Sequence, residues 1–265
     1  MPTETRGAVD TTVRSFEILQ HLQENGPTRL SDIASDLDMS PSTVHRHLRT
    51  LCDLRYASKN ENRYQLGLRF VRLGHAAKTR DPAVHQVKDH VQELAAETGE
   101  RAQFVVEDHG LGVFLHIATG DKAIRTGIAP GRQIHLHSSG VGKSILSHYP
   151  RERVEEIIDR WGLPKQTDQT VTDRDELYSE LDRIRERGVS FNRQEQIKGV
   201  AAASVPVQNA EEEVIGALSV AGPSHRMKGD RIEETIPDLL LGSANALELE
   251  LTYDAPGASD TFAVE

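Results

Sequence analysis

The chain of 265 residues is long enough for two ordinary domains, and its 31 Lys and Arg against 41 Asp and Glu give a formal net charge of −10. Its single cysteine, Cys52, excludes an intrachain disulfide and fits a reducing compartment. No apolar run approaches the roughly 20 residues that span a bilayer, and the N-terminal stretch MPTETRGAVD has no apolar signal region. We therefore expect a cytoplasmic protein without a membrane segment.

The charge is distributed unevenly along the chain. Residues 1–80 hold 12 Lys and Arg against 9 acidic residues, whereas the remainder holds 19 against 32. This asymmetry indicates a small segment with an anionic partner and a larger acidic body. Chance scatter of surface charge would explain the same counts, so the pattern of residues has to decide.

Residues 9–54 predict three helices. Apolar residues recur at helical spacing over 9–24 and again over 30–37, and the stretch NGP at 25–27 ends the first helix. Ser40 is a favourable N-cap, and the proline after it suits the first turn of a third helix, PSTVHRHLRTLCDL. On this helix Val44, Leu48 and Leu51 share one face, which predicts that they pack into a core.

The third helix has a polar, basic face opposite its apolar one. A hairpin follows it, because the short β-type runs YAS and RYQL flank the polar turn KNEN. Helices followed by a hairpin in this order are typical of a winged helix-turn-helix, whose third helix can enter the major groove of double-stranded DNA. The residues predicted to contact DNA are Ser42, Thr43, His45, Arg46, Arg49 and Thr50 of the helix and Lys59 and Arg63 of the hairpin.

Local charge supports this interpretation. Residues 41–72 contain seven Lys and Arg but only two acidic residues. Cations there can replace the counterions of phosphates, and Arg46 and Arg49 can also read guanine edges. A solvated charged face on a protein-interaction domain remains the alternative.

The rest of the chain predicts a second domain of mixed structure. After a linker helix and a break at Asp81-Pro82, a helix ends at Gly99, and the stretches AQFVVE, LGVFLHI, AIRTGI, GVAAASVPV and VIGALSV predict strands. Helices are expected for SSGVGKSILSHY, 150–162, 172–188 and roughly 230–251. The predicted fold is a two-domain α+β protein, divided into residues 1–75, residues 76–252 and a disordered tail, 253–265.

The stretch GVGKS at 140–144 resembles a P-loop, but the Walker A pattern requires a glycine where His137 stands. We therefore expect no nucleoside triphosphate site. Ser138 or Ser139 can instead cap a helix whose first amides, beginning with Gly140, form a site for an anion such as a small carboxylate. An ordinary strand-to-helix turn, in which the glycines serve close packing, explains the same residues equally well.

Metal binding and catalysis find little support in the sequence. His135 and His137 would point the same way if IHLHS were a strand, and His109, His116 and His148 could join them around a metal. However, no Cys/His spacing signature and no G-x-S-x-G nucleophile motif is present. We therefore predict no metal site, no catalytic residue, no cofactor and no enzymatic activity.

Several stretches together resemble the IclR family of transcriptional regulators. They are TVRSFEILQHL, LSDIASDLDMSPSTVHRHLRTL, YQLGLRFVRLG, LHSSGVGKSIL, GVAAASVPV and GALSVAGP, which occur in the family's order and spacing over about residues 9–250. The resemblance implies an N-terminal winged helix-turn-helix and a C-terminal, GAF-like effector-binding domain. It also implies a homodimer or homotetramer that responds to a small metabolite, often an organic, aromatic or sugar-derived acid.

The resemblance also implies an effector site. Gly140 and Val141 match helix-start amides that hold an effector carboxylate in some members, and Ser219 matches a ligand-bonding serine. Asn192, Ala202 and Ala221 stand where acid-binding members have aspartate, cysteine and a second serine. These changes imply a roomier, less polar pocket than in those members, and hence a ligand larger than a two- or three-carbon acid.

The sequence therefore predicts a ligand-responsive, DNA-binding regulator, repressor or activator, of a catabolic or metabolic operon. The alternative is a metal- or small-molecule-sensing protein, or an enzyme, that uses the winged helix for subunit contacts. The basic face of the third helix favours the regulator, since an interface helix would be more apolar.

Overall fold

The computed structural model of the chain describes residues 7–80, 83–124 and 127–253. These residues form two compact units, and the division between the units falls after Arg80. The predicted disordered tail lies outside the described residues, except for Tyr253, which ends the last helix. Within the described ranges, no helix is long and apolar enough to cross a membrane.

The N-terminal unit consists of four helices and a small antiparallel sheet with strand order β1-β3-β2. Its elements in chain order are α1 (Asp10–Asn25), β1 (Thr28–Arg29), α2 (Leu30–Asp36), α3 (Pro41–Asp53), β2 (Ala57–Asn60), β3 (Arg63–Leu66) and α4 (Arg69–Lys78).

Local sequence signals set the ends of these helices. Helix α1 ends before Gly26, which has a positive φ of 68° and donates its N–H to the Leu22 carbonyl. Helix α3 begins after Ser40, whose hydroxyl accepts the N–H of Thr43 at 3.2 Å. The three predicted helices and the hairpin of this unit are therefore confirmed.

The core of the N-terminal unit brings α1, α2, α3 and the sheet together. Val44, Leu48 and Leu51 of α3 are buried in it, as their spacing predicts. On α1 the apolar spacing predicts burial only in part. Val9, just before the helix, is 66% exposed, and Phe16 is 57% exposed. Strand β1, which the sequence analysis missed, pairs with β3 through two residues and adds a third strand to the wing.

The C-terminal unit contains a six-stranded antiparallel sheet with strand order β6-β5-β4-β9-β8-β7. Its elements in chain order are α5 (Ala83–Thr98), β4 (Arg101–Asp108), β5 (Leu111–Thr119), β6 (Gln133–His135), α6 (Gly140–Leu146), α7 (Arg151–Trp161), α8 (Arg174–Arg187), β7 (Ser190–Arg193), β8 (Val200–Gln208), β9 (Val214–Pro223) and α9 (Ile236–Tyr253). A 3₁₀ turn, Leu136–Ser138, precedes α6, and a π-helical turn, Arg231–Thr235, precedes α9.

Both faces of this sheet are covered by helices. Helices α5 and α9 pack on one face against Phe104, Leu218 and Val220, whereas α6, α7 and α8 pack on the other against Val105 and Ala217. Side chains alternate between the faces of a strand. Odd-numbered residues of β4 and β9 therefore lie on the α6 side along the segments 101–105 and 217–221.

The α+β architecture is confirmed, with three local corrections. The stretch AIRTGI does not form the predicted strand at its described residues 123, 124, 127 and 128, and the strand next to β5 is instead β6. The stretch IHLHS leaves its strand after His135 and continues as a 3₁₀ turn. The sequence analysis also missed β7, a short edge strand that pairs only with β8.

Candidate functional site

Helix α3 presents its polar residues to solvent. Of the eight residues predicted to contact DNA, six lie on α3 and two on the hairpin strands β2 and β3, and all except the half-buried Thr43 are exposed. Thr50 donates its hydroxyl to the Arg46 carbonyl at 3.0 Å, a bond that holds the threonine side chain against its own helix. The structure thus assembles the predicted residues on one helix and the adjacent wing of one unit.

The basic side chains of this surface differ in how they are held. Among the described residues, neither Arg46 nor Arg49 takes part in an ion pair or a side-chain hydrogen bond. On the wing, the Lys59 ammonium lies 5.4 Å from the centre of the Tyr64 ring, and Arg63 donates to the Pro27 carbonyl at 3.0 Å. The α3 arginine side chains thus lack polar partners among the described residues, whereas Lys59 and Arg63 each contact a neighbouring group on the wing or just before β1.

A small cavity lies between α6 and the sheet of the C-terminal unit. Its empty space of ≈ 310 Å³ includes open solvent, and the part that admits the centre of a water-sized molecule is only ≈ 10 Å³, about the room of one water, so a larger ligand enters only if the lining side chains move apart. The six residues that the sequence analysis assigns to an effector site all line it, although they come from α6, β7, β8 and β9: Gly140, Val141, Asn192, Ala202, Ser219 and Ala221.

The start of α6 closes tightly over this cavity. Ser139 caps the helix, because its hydroxyl accepts the N–H of Gly142 at 3.1 Å. A methyl group at Gly142 would lie 2.1 Å from the Leu136 carbonyl oxygen, and one at Gly140 would lie 2.7 Å from the Ser204 hydroxyl. Close packing thus requires both glycines, so they do not by themselves indicate a ligand. The amides of Gly140 and Val141 have no acceptor within their helix, since they belong to its first turn.

Asn192 lines the cavity but is already engaged. Its Nδ2 donates to the Ser138 carbonyl at 3.0 Å, and its Oδ1 accepts the N–H of Glu195 at 3.1 Å. The side chain therefore joins the segment before α6 to the loop after β7. One N–H of the amide remains for a ligand.

Ser219 is also part of an internal hydrogen-bond chain. It donates its hydroxyl to the Ala203 carbonyl at 2.9 Å and accepts the hydroxyl of Ser204 at 3.0 Å. Because the hydroxyl proton is already used, Ser219 can offer a ligand a lone pair but not a donor. Ala202 and Ala221 are neighbours across β8 and β9, and they give the cavity an apolar floor.

A buried ion pair fixes α6 to the loop after β7. The Lys143 ammonium donates to Glu195 Oε2 at 2.7 Å, and the two side chains are only 3% and 8% exposed. The other carboxylate oxygen of Glu195 accepts the N–H of Arg193. The lysine of GVGKS is thus committed to a carboxylate, which agrees with the rejection of a P-loop.

The lining residues that escaped the sequence analysis include two long polar ones, Arg101 and Gln103 on β4. They are 7% and 4% exposed, so the cavity is more polar than the two alanines imply. Burial, together with the nearby Arg132, lowers the pKa of Arg101 to about 10. A sequence signal did exist, because two long polar side chains two residues apart share one face of a strand that is otherwise apolar from 102 to 106.

The histidines do not converge on a metal site. The rings of His135 and His137 are 5.8 Å apart, and His137 Nε2 donates to the Pro164 carbonyl at 3.2 Å. Burial is the main cause that lowers the pKa of His137 to about 4. Across the described parts of the chain, no group of three or more His, Cys, Asp and Glu side chains could hold a metal ion.

A basic helix-turn-helix with a wing, and a second unit that encloses a small cavity, together define a DNA-binding regulator with an effector domain. Comparison with known proteins agrees. Residues 11–61 match the IclR helix-turn-helix domain, and residues 75–248 match the bacterial transcriptional regulator IclR C-terminal domain. The chain belongs to the IclR family of transcriptional regulators.

Named relatives support this assignment over most of the chain. The HTH-type transcriptional regulator BhcR of Paracoccus denitrificans is 30% identical over 246 residues, which cover 92% of this chain and 88% of that protein. The probable HTH-type transcriptional regulator ArcR of Halobacterium salinarum is 26% identical, covering 92% and 94%. Because these relatives are transcriptional regulators, the chain is a regulator and not an enzyme.

Solved structures confirm the fold. The Thermotoga maritima IclR structure matches with a TM-score of 0.78 at 25% identity, covering 93% of this chain and all of that one. An IclR homolog from Microbacterium hydrocarbonoxydans, solved in complex with 4-hydroxybenzoate, matches with a TM-score of 0.77 at 22% identity, covering 91% and 99%.

Proposed function

We propose that this regulator controls a catabolic or metabolic operon by sensing a small organic acid in the cavity beneath α6. The proposal rests on the fact that residues distant in sequence line the same cavity. Residues 140, 141, 192, 202, 219 and 221 are distant in sequence, and the structure brings all of them to one cavity. The residues predicted to contact DNA converge in the same way on α3 and its wing.

The chemistry of the cavity supports an anionic effector. The buried Arg101 contributes a positive charge, and the first-turn amides of α6 contribute hydrogen-bond donors. The apolar floor of Ala202 and Ala221 suits the carbon skeleton of an organic, aromatic or sugar-derived acid. The 4-hydroxybenzoate bound to the Microbacterium homolog makes aromatic hydroxy acids a reasonable first class to test.

We further propose that the protein acts on its operator as a homodimer or homotetramer. The N-terminal unit exposes apolar side chains on two helices and their flanks, with Phe16 57% and Val71 68% exposed. Such side chains are typical of a surface that a second copy covers. A dimer would place two copies of α3 on a pseudo-palindromic site in double-stranded DNA. We propose that it does so in the cytoplasm.

Effector binding would act through the segment that joins the two units in sequence. This segment comprises α4 and α5, one from each unit. We suppose two arrangements of the paired α3 helices, of which one fits the operator. An effector that binds one arrangement more tightly than the other shifts the protein towards it, and the ratio of the two effector affinities limits the change in operator affinity.

Gel-shift titrations on the DNA upstream of the protein's own gene test this function. They should show specific binding, and 4-hydroxybenzoate, 3-hydroxybutyrate or D-gluconate should change the apparent Kd by more than sodium chloride does at equal ionic strength. Light scattering in the same buffer should show a dimer or tetramer, and Phe16→Glu should weaken it. Equal affinity for operator and random DNA would refute the regulatory function, and a monomer that binds specifically would refute the assembly.

A further inference from the structure

Two rows of paired residues cross the sheet beneath α6. In the first row, Ala221 is the register partner of Arg101 on β4 and of Ala202 on β8, and Ala202 is the partner of Asn192 on β7. The row thus begins with a long cation, continues with two methyl groups and ends with an amide. Because the two central side chains are short, this row leaves the space that the cavity occupies.

The second row is polar along its whole length. It consists of Gln103, Ser219, Ser204 and Ser190, which are register partners in that order and are 4% exposed or less. Ser204 donates to Ser219, and Ser219 donates to the Ala203 carbonyl, so both serine protons are used inside the sheet.

Gln103 differs from Ser204 and Ser219 in having an unmatched acceptor, and Ser190 Oγ is likewise without a hydrogen-bond partner in the described structure. The Gln103 Oε1 is buried and has no hydrogen-bond partner in the described structure, although the side chain lines the cavity. A buried carbonyl oxygen without a donor is unfavourable, and native proteins seldom retain one without a reason. Ser219 and Ser204, which lie next along the row, cannot supply a donor, because their protons are committed. A donor on a bound molecule would meet this need.

Arg101 contributes a positive charge on the same strand. Its guanidinium is buried beside the cavity and close to a second cation, Arg132. Although this environment lowers the pKa of Arg101 to about 10, the group remains protonated at neutral pH. An anion in the cavity would stabilise this charge. Residues 101 and 103 are two apart on one strand, so their Cα atoms are separated by about 7 Å.

From these observations we propose that Arg101 and Gln103 determine the specificity of the effector site. Arg101 binds the carboxylate of the effector, and Gln103 Oε1 accepts a hydrogen bond from a hydroxyl group on the same molecule. The effector is therefore a hydroxy acid rather than a plain acid or a neutral alcohol. This inference rests on the proposed function, because it assigns the class of ligand to the same cavity.

Calorimetry with matched ligands tests both contacts on the full-length protein. One series comprises 4-hydroxybenzoate, benzoate, which lacks the hydroxyl, and 4-hydroxybenzamide, which lacks the charge. A second series comprises 3-hydroxybutyrate, butyrate and 3-hydroxybutyramide. Wild-type protein should prefer the hydroxy acid to both analogues in at least one series.

The two variants should remove different preferences. Arg101→Gln should weaken binding of the hydroxy acid by about 10- to 100-fold and abolish the preference for acid over amide, while Arg101→Lys retains part of it. Gln103→Leu should lose only the preference for the hydroxylated acid, roughly 2- to 10-fold. The exposed Arg160→Gln is the control for a simple change in net charge, and thermal melting of each variant checks that it folds.

Each outcome bears on a defined claim. If Arg101→Gln folds and keeps the wild-type preference for acid over amide, or Gln103→Leu keeps the preference for the hydroxyl, that contact is wrong. If the hydroxy acids bind with the expected preferences but leave operator affinity unchanged, the site assignment stands and the regulatory function fails. If only a non-hydroxylated compound binds and changes operator affinity, the function stands and this inference fails. Failure of every hydroxy acid to bind at millimolar concentration overturns the inference.

Discussion

The polar face of α3 and the polar rows beneath α6 are built from similar residue types, but the first is exposed to water and the second is buried. The arginines of α3 are exposed and have no ionic partner among the described residues, so they cost little to maintain without DNA. The polar groups under α6 are buried, and many are committed to internal partners, such as Lys143 to Glu195. The polar groups of an exposed binding surface can therefore remain unpaired until the partner binds. Those of a buried surface need hydrogen-bond or ionic partners within the protein for the most part.

The largest expected contrast concerns stability. Lys143→Ala leaves Glu195 buried without its cation, and we expect a loss of about 3–5 kcal/mol in the free energy of unfolding. Arg49→Ala on the exposed face of α3 should change it by no more than about 0.5 kcal/mol. Urea denaturation measures both values. A loss below about 1 kcal/mol for Lys143→Ala would mean that water reaches the ion pair.

The second contrast concerns pH. Burial lowers the pKa of His137 to about 4, against 6.5 in the unfolded chain, so the folded state binds fewer protons between these values. Stability is fully present above pH 6.5 and is lost as the pH falls towards 4, by about 2–3 kcal/mol. His137→Gln should flatten this part of the pH profile of unfolding. The control is His45→Gln on the exposed face of α3. An equal effect of both variants would contradict the assignment of this pH dependence to His137.

The third contrast separates two kinds of DNA contact on the exposed unit. Arg46→Ala should cost about 1–3 kcal/mol on the operator and much less on random DNA, because a bidentate contact to guanine is lost. Arg63→Ala on the wing should weaken binding to both DNAs about equally. Fluorescence anisotropy at fixed salt provides the comparison. If Arg46→Ala weakens binding to both DNAs by one common factor, Arg46 contacts phosphate only.

The smallest contrast uses two helix caps of the same residue type. Ser40 caps α3 at an exposed position, and Ser139 caps α6 at a position that is 1% exposed. Ser40→Ala should cost about 1 kcal/mol, while Ser139→Ala should cost about 2 kcal/mol because the Gly142 amide then lacks both its acceptor and water. Thermal melting measures the difference. Equal costs would show that the amide of Gly142 finds another acceptor.

Sequence patterns predicted the N-terminal unit well because its signals are local. The cap at Ser40, the glycine after α1 and the spacing of Val44 and Leu48 each specify structure within a few residues. An exposed helix face also separates polar from apolar residues by period. The basic surface could thus be recognised without knowledge of distant contacts.

The C-terminal site was harder to predict because pairing between distant strands creates it. Short edge strands such as β6 and β7 are defined by their partners more than by their own composition, so β7 was missed and β6 was placed too early. The family resemblance supplied Ser219 and Ala202. It did not supply Arg101 and Gln103, because only the register of β4 against β9 places them beside those residues.

The floor of the cavity also bears on how this protein can change over generations. Ala202 and Ala221 hold their places in the sheet through backbone hydrogen bonds, which do not depend on the side chain. Single-codon changes at these two positions can therefore alter the shape of the cavity while the sheet and helix α3 of the other unit persist. Descendants of this protein can in this way come to bind a different effector in small steps, while they keep the same operator.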